Sequence, residues 1–312
     1  MKLREFRRED AGLLLQLLRT EFPQEEAVLG LQPDGFERLV RRLYRADARI
    51  VLAVLRAIRR SPYHLYVIEH EGRVAALGQL SFAARAGFLS SVVVVPELRR
   101  RGFARGLIEA ARQETARRGR PYMALHVSDS NAPARALYGS AGYRPLGREV
   151  HLVHEAPTAS ASAPVGEEIR PFRRSDSDRL AAIANENRSE PARSVLPVRP
   201  RDLAGPRWAD RVFGAETAAW VVDRGAGPEA SVAATSSPLT AAAHLGTPIV
   251  ARTFEPAVAT SLVRTALSWL WSRRPARVVV SVPEENLRAR RALEEVGFRE
   301  AAAYLTLYRS SA

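Results

Sequence analysis

Apolar positions in the first half of the chain alternate between a period of two and a period of about 3.6, and each change of period marks an element. Leu3–Arg7 alternates and predicts a short strand. Asp10, a good N-cap residue, precedes Leu13, Leu14, Leu17 and Leu18 on one helical face. Phe36, Leu39, Val40 and Leu43 predict a second amphipathic helix, and Ile50–Ile58 a further turn or two with Arg56, Arg59 and Arg60 appended. Tyr63–His70 and Val74–Phe82 flank Glu71-Gly72-Arg73 and predict a hairpin. Phe88–Val95 is a β-branched strand, followed by a helix over Arg100–Arg118 and a strand over Tyr122–Val127. A helix over Ala132–Ala141 and a strand over Tyr143–Val153 complete this half. The order predicts an α/β layered domain with a mixed sheet.

The pattern then repeats. KLREFRRED (Lys2–Asp10) returns as EIRPFRRSD (Glu168–Asp176), and NAPARALYGSAGY (Asn131–Tyr143) as NLRARRALEEVGF (Asn286–Phe298). Between the copies, His154–Glu168 is rich in Pro, Ala, Ser and Gly, the composition of an exposed linker. The expected organisation is a first domain over 1–155, a linker over 156–167 and a second domain over 168–312. In the second copy, Trp220–Asp223, Ala230–Thr235, Pro248–Phe254, Val278–Val282 and Phe298–Tyr308 are the expected strands. Pro256–Arg273 and Asn286–Val296 are its expected helices.

Composition narrows the chemistry. The 312 residues contain no Cys, which excludes thiol nucleophiles, disulfides and thiolate metal sites. Six His remain, none in an HExxH or HxH arrangement, so no metal is expected. No signal-peptide pattern opens the sequence and no apolar run approaches about 20 residues, which points to a cytoplasmic protein that does not enter a membrane. Lys+Arg 47 against Asp+Glu 34 gives +13, but Lys2 is the only lysine. An arginine bias of this kind reflects genomic composition as readily as a polyanionic partner. Aromatics and Arg are not interleaved on any one element, so nucleic acid is not expected as a partner.

Two stretches carry candidate chemistry. In SSVVVVPELRRRGFARGLIEAA (Ser90–Ala111) a buried strand runs into a glycine-containing turn and a helix. Helix N-termini expose unpaired N–H groups and bind phosphates; Gly102 permits close backbone approach, and Ala104 keeps the next turn small. Arg99, Arg100, Arg101 and Arg105 surround the turn with fixed positive charge, although a solvated basic helix start would look the same. In the second stretch, Met123–Pro145, Asn131 can cap a helix and Tyr138 follows it by two helical turns. A phenol there could donate a proton or only pack, and Gly142 ends the helix.

In this order and spacing, the two stretches resemble the GCN5-related N-acetyltransferase (GNAT) family. Arg99, Gly102 and Ala104 match its Q/R-x-x-G-x-G/A loop. Asn131, Ala134, Leu137, Tyr138, Gly142 and Tyr143 match its following N-x-x-A-x-x-L-Y-x-x-x-G-F/Y motif. The resemblance implies two tandem GNAT-type domains, each a mixed, mostly antiparallel sheet flanked by helices. It implies acetyl-CoA as cosubstrate, a primary amine as acceptor and direct attack in a ternary complex. Val92, Val93 and Val94 would align the acetyl-pantetheine arm, with an N–H of Val93 or Val94 on the thioester carbonyl. Amides of Arg100, Arg101, Gly102, Phe103, Ala104 and Arg105 would cradle the pyrophosphate, Asn131 would bond the pantetheine, and Tyr138 would protonate the departing thiolate.

His126 stands where ribosomal-protein N-terminal acetyltransferases of this family carry a glutamate base. It is a candidate base or a hydrogen-bonded structural histidine. A non-catalytic acyl-CoA-binding module is the alternative to an enzyme. In the second copy, ARTFEPAVATSL (Ala251–Leu262) lacks the glycine and the arginine cluster, Glu255 brings like charge, and Leu293 stands in place of Tyr138. That copy is expected to keep the fold without the activity. Many single-domain relatives dimerise, so the expected assembly is a monomer with pseudo-dimeric tandem domains, or a homodimer.

Overall fold

A computed structural model describes residues 2–21, 63–83, 85–155, 169–203, 214–225, 227–238, 240–253 and 256–312. The expected helix at Phe36–Leu43, the segment Ile50–Ile58, the linker over 156–167 and Glu255 lie outside these residues. The described residues form two compact units. The first holds residues 2–21, 63–146 and 305–312, and the second holds residues 147–304.

The first unit contains β1 (Lys2–Glu5), α1 (Ala11–Glu21), β2 (Tyr63–His70), β3 (Arg73–Phe82), β4 (Ala86–Val94), α2 (Phe103–Arg117), β5 (Tyr122–Ser128) and α3 (Ala132–Ser140). β1 to β4 pair antiparallel in sequence order, and β5 joins β4 in parallel. α2 begins three residues later than the pattern suggests, because Arg100 (φ 65°) and Gly102 (φ 85°) are left-handed and cannot extend the helix.

Each face of this sheet has its own cover. Leu107, Ile108 and Ala111 of α2 pack on Leu80, Leu89, Met123 and Leu125, whereas Leu14 and Leu17 of α1 pack on Val67, Leu77 and Val93. α2 lies so close to β4 that a Cβ at Gly87 would overlap Oγ1 and Cγ2 of Thr115. Thr115 is fully buried and held by its hydroxyl, which donates to the Ala111 carbonyl at 2.7 Å. Gly87→Ala should therefore cost about 1–3 kcal/mol by overpacking. Thr115→Ala in the same chain should restore part of it, both read as thermal midpoints.

β6 (Arg144–His154) carries the chain into the second unit. There follow β7 (Ile169–Pro171), α4 (Ser177–Glu186), the short helices α5 (Glu190–Val195) and α6 (Pro200–Leu203), β8 (Glu216–Asp223), β9 (Pro228–Ser236), β10 (Ala242–Leu245), β11 (Ile249–Val250), α7 (Pro256–Trp271), β12 (Arg277–Pro283), α8 (Leu287–Glu295) and β13 (Arg299–Ser310). The sheet order is β7-β8-β9-β10-β12-β6, with β11 also on β9. β10 runs parallel to β12, as β4 does to β5.

One expectation fails here. The strand at Pro248–Phe254 shrinks to Ile249–Val250, and the strand beside β12 is Ala242–Leu245, in an alanine-rich run whose pattern gives little signal. The counterpart of β4 is thus broken in two at Gly246–Pro248, where the Gly246 N–H turns back to the Ala233 carbonyl at 2.7 Å.

The repeated opening motif proves architectural. Arg4 grips Asp10 with both terminal nitrogens (2.7 and 2.8 Å) and Glu69 with Nε (2.6 Å). Arg170 grips Asp176 (2.8 and 2.8 Å) and Asp223 (2.7 Å) in the same way. Asp10 does not simply open α1 as an N-cap. Its carboxylate accepts from the Arg7 N–H at 2.7 Å inside a 3-10 turn, as Asp176 does from Arg173. These planar two-point pairs anchor the chain where the first strand turns into the first helix.

The exchange of final strands is what the sequence pattern hides. β6 comes from the first copy, yet Gly147–His154 pairs antiparallel with β12 inside the second unit, Val150 opposite Val282 and His154 opposite Val278. β13 comes from the second copy, yet Leu305–Ala312 belongs to the first unit and lies next to β5. There Leu307 joins the core under α2, the Ser311 N–H donates to the Pro121 carbonyl at 3.0 Å, and Arg112 donates to the Ser311 carbonyl at 2.6 Å.

Candidate active site

A wedge between two strands organises the first unit. The β4–β5 ladder holds only from Ala86 opposite Tyr122 to Leu89 opposite Leu125, although β4 runs on to Val94 and β5 to Ser128. A bulge explains the parting. Ser90 pairs with Gln79 and Val93 with Leu77, so β4 spends one residue more than β3, and Ser91 takes φ 52°. A bulged strand bends and twists away from its neighbour. Beyond it, Val92 and Val94 pack toward the α2 side and Val93 toward α1. The side of β4 facing β5 is left as an open backbone edge over these three valines.

β4 leads into a turn built to receive negative charge. After a 3-10 turn at Pro96–Leu98, Arg100 and Gly102 adopt left-handed φ, and no side chain caps α2. The first amides of α2 are thereby left facing outward at the positive end of the helix dipole. Arg100 and Arg101 are exposed and make no ion pair among the described residues. The other two arginines are engaged. Arg99 pairs with Glu21 of α1 and donates from Nε to the Val94 carbonyl at 3.3 Å, and Arg105 donates to Ser140 Oγ at 3.0 Å.

α3 stands beyond the wedge. Asn131 caps it, its Oδ1 accepting from the Ala134 N–H at 3.1 Å, and remains exposed. Tyr138 is 6% exposed in the cluster with Leu89, Leu125 and Val127. Its ring meets Tyr143 edge-on at 5.8 Å. Burial pushes the phenol up to about 12, so it is a proton carrier at every physiological pH. Gly142 (φ 82°) closes the helix, and the Tyr143 N–H returns to the Tyr138 carbonyl at 3.1 Å.

His126 follows Leu125, the last paired residue of β5. Met123, Leu125 and Val127 face α2, so alternation turns His126 to the opposite face, where its ring meets Phe88 edge-on at 4.7 Å. The phenol and the imidazole thus flank the wedge from opposite faces of the sheet.

Comparison with known proteins bears on the family and the fold. The profile of the Acetyltransferase (GNAT) family matches residues 16–143. That stretch is similar to a GNAT acetyltransferase domain. A tandem GNAT protein from the clavulanic acid biosynthesis pathway shares the fold over 100% of this chain and 98% of its own, at TM-score 0.62 and 17% identity. A GCN5-related N-acetyltransferase from Sphaerobacter thermophilus does so over 99% and 95%, at TM-score 0.65 and 17% identity. A third, a putative acetyltransferase from Pyrococcus horikoshii, aligns over 100% and 89%, at TM-score 0.58 and 13% identity. Among curated protein sequences, none matches the chain significantly. The fold is that of a tandem GNAT protein, and the matched family is one of acetyltransferases.

The second GNAT-fold unit has the same frame without the same wedge. Its parallel ladder ends at Leu245 opposite Val280, and Thr247 then donates across to the Ser281 carbonyl at 2.5 Å. Leu293, in the place of Tyr138, is fully buried in the core. Asn286 still caps its helix, from the Ala289 N–H at 3.3 Å, so the cap outlasts the phenol. Among the described residues no cluster of metal-binding side chains occurs, and no helix is long and apolar enough to cross a membrane. Motif spacing pointed to Tyr138 and the turn, but it gave no sign of the Ser91 bulge or of Arg309 and Ser311 in the first unit. Neither bulge nor strand exchange leaves a periodic trace.

Proposed function

We propose that the first unit transfers an acetyl group from acetyl-CoA to a primary amine, in a ternary complex held in the β4–β5 wedge. One observation carries the reading: an open strand edge leads directly into an uncapped helix N-terminus, with a buried protonated phenol on one side and an imidazole on the other. Acetyl-CoA supplies an activated acyl carbon, an amide-bearing arm and a pyrophosphate, and the wedge offers a matching partner to each.

The backbone of Val92, Val93 and Val94 takes the arm as an added strand. The amides of Arg100 to Arg105, with the exposed guanidinium groups of Arg100 and Arg101, hold the pyrophosphate. An N–H of Val93 or Val94 polarises the thioester carbonyl and holds the charge that develops on its oxygen. Asn131, at the mouth of α3, bonds the arm through the amide group its cap leaves over. His126 accepts the proton of the attacking amine, directly or through a water. As the new C–N bond forms and the C–S bond breaks, Tyr138 gives its proton to the leaving sulfur and recovers one from solvent.

Calorimetry with coenzyme A should give one site per chain, because the second unit closes its wedge with Thr247. Free thiol release from acetyl-CoA should then respond to some members of a panel of primary amines: sugars, amino acids, polyamines and peptides. Absence of binding, or two equivalent sites, would overturn the reading. Binding with no transfer across the panel would instead support an acyl-CoA-binding module.

A further inference from the structure

We propose that Arg309, from the last strand of the second copy, is a positioning residue for the first unit's chemistry, fixing Tyr138 through the C-terminal end of α3 and the ring of Tyr143. The inference rests on the reading of Tyr138 as the proton donor.

Arg309 NH1 donates to the Ala141 carbonyl at 2.6 Å, three residues beyond Tyr138. A guanidinium there meets the negative end of the α3 dipole and satisfies a carbonyl that the helix cannot. The same guanidinium lies 5.8 Å from the centre of the Tyr143 ring, and Tyr143 in turn sets its edge against Tyr138. Tyr143 needs this support. Its hydroxyl is buried without a partner among the described residues, and none of these holds the ring by a hydrogen bond to that oxygen.

Arg309 is itself held at both flanks. Leu307 lies in the core with Tyr138 and Tyr143, and Ser311, 2% exposed, bonds to Pro121 and Arg112 and through its hydroxyl to the Arg120 carbonyl. Two-point support of this kind decides where a phenol proton points, and proton transfer tolerates little misplacement. The action is geometric. Burial alone raises the Tyr138 phenol, so the nearby positive charge is not what tunes it.

The test uses the full chain and acetyl-CoA, with water as acceptor and with the amine that the panel selects. Arg309→Ala should lower kcat roughly tenfold to a hundredfold while coenzyme A affinity stays within about twofold. Arg309→Lys keeps the donor and the charge and should recover most of the rate. In a Tyr138→Phe background, Arg309→Ala should cost nothing further, because the group it positions is gone. A rate loss in the double variant equal to the product of the single losses would overturn the proposal, as would unchanged kcat or an effect confined to KM. If Tyr138→Phe alone left the rate unchanged, the proton-donor reading would fall and this inference with it, a result distinct from Tyr138 mattering and Arg309 not.

Discussion

Deleting Leu305–Ala312 should abolish coenzyme A binding by the first unit while the second unit keeps its fold. The deletion removes Leu307 from the core beneath α2, and loss of a buried leucine costs about 2–5 kcal/mol by itself. It also strips the edge of β5, leaves Arg112 without the Ser311 carbonyl and takes Arg309 from the end of α3. Against a total stability of about 5–15 kcal/mol for a domain, these losses together are enough to melt the unit. The second unit keeps β6 on β12 and every strand out to β7. Hydrogen exchange should therefore show β3, β4 and β5 amides losing protection while β9 and β12 retain theirs. If the shortened chain still bound coenzyme A with native affinity, the tail would be ornamental.

Tyr138→Phe should lower kcat with little change in stability or in coenzyme A affinity. Phenylalanine keeps the ring, its burial and its edge contact with Tyr143, so the packing around α3 is retained. General acids are worth roughly 10²–10⁴-fold, and a value near 10² is expected, since a thiol of ordinary pKa about 8.5 departs with modest help. The pH profile gives a second check. With the phenol pushed up to about 12, the acid stays protonated through pH 10, so the native rate should show no alkaline fall from its loss. An alkaline limb below pH 10 that vanished in Tyr138→Phe would contradict the burial seen here, and an unchanged kcat would remove Tyr138 from the reaction.

Local rules were legible in the sequence. The hairpin of β2 and β3, the capping by Asn131 and Asn286, and the glycine stops after α3 and α8 depend on neighbours within a few residues, and motif spacing exposes them. The turn and the phenol were legible for the same reason. Strand choice was not. β6 and β13 have the alternation of a final strand, and either suits a fifth strand from either copy, because the copies descend from one sequence and present similar edges. Nor could periodicity find β10, whose alanines at 242 and 243 look alike on both faces, or the bulge at Ser91, which shows only as a positive φ. What the pattern lacked in each case was a contact made far along the chain.

The reciprocal strands also bear on why the second copy persists. With the closing segment of each copy seated in the other's unit, neither can be discarded without opening a sheet, whereas Leu293 can stand in the place of Tyr138 and leave the tail intact. Residues 305–311 then answer to the packing of the first unit rather than of the copy that encodes them, and the pair is inherited as one indivisible fold.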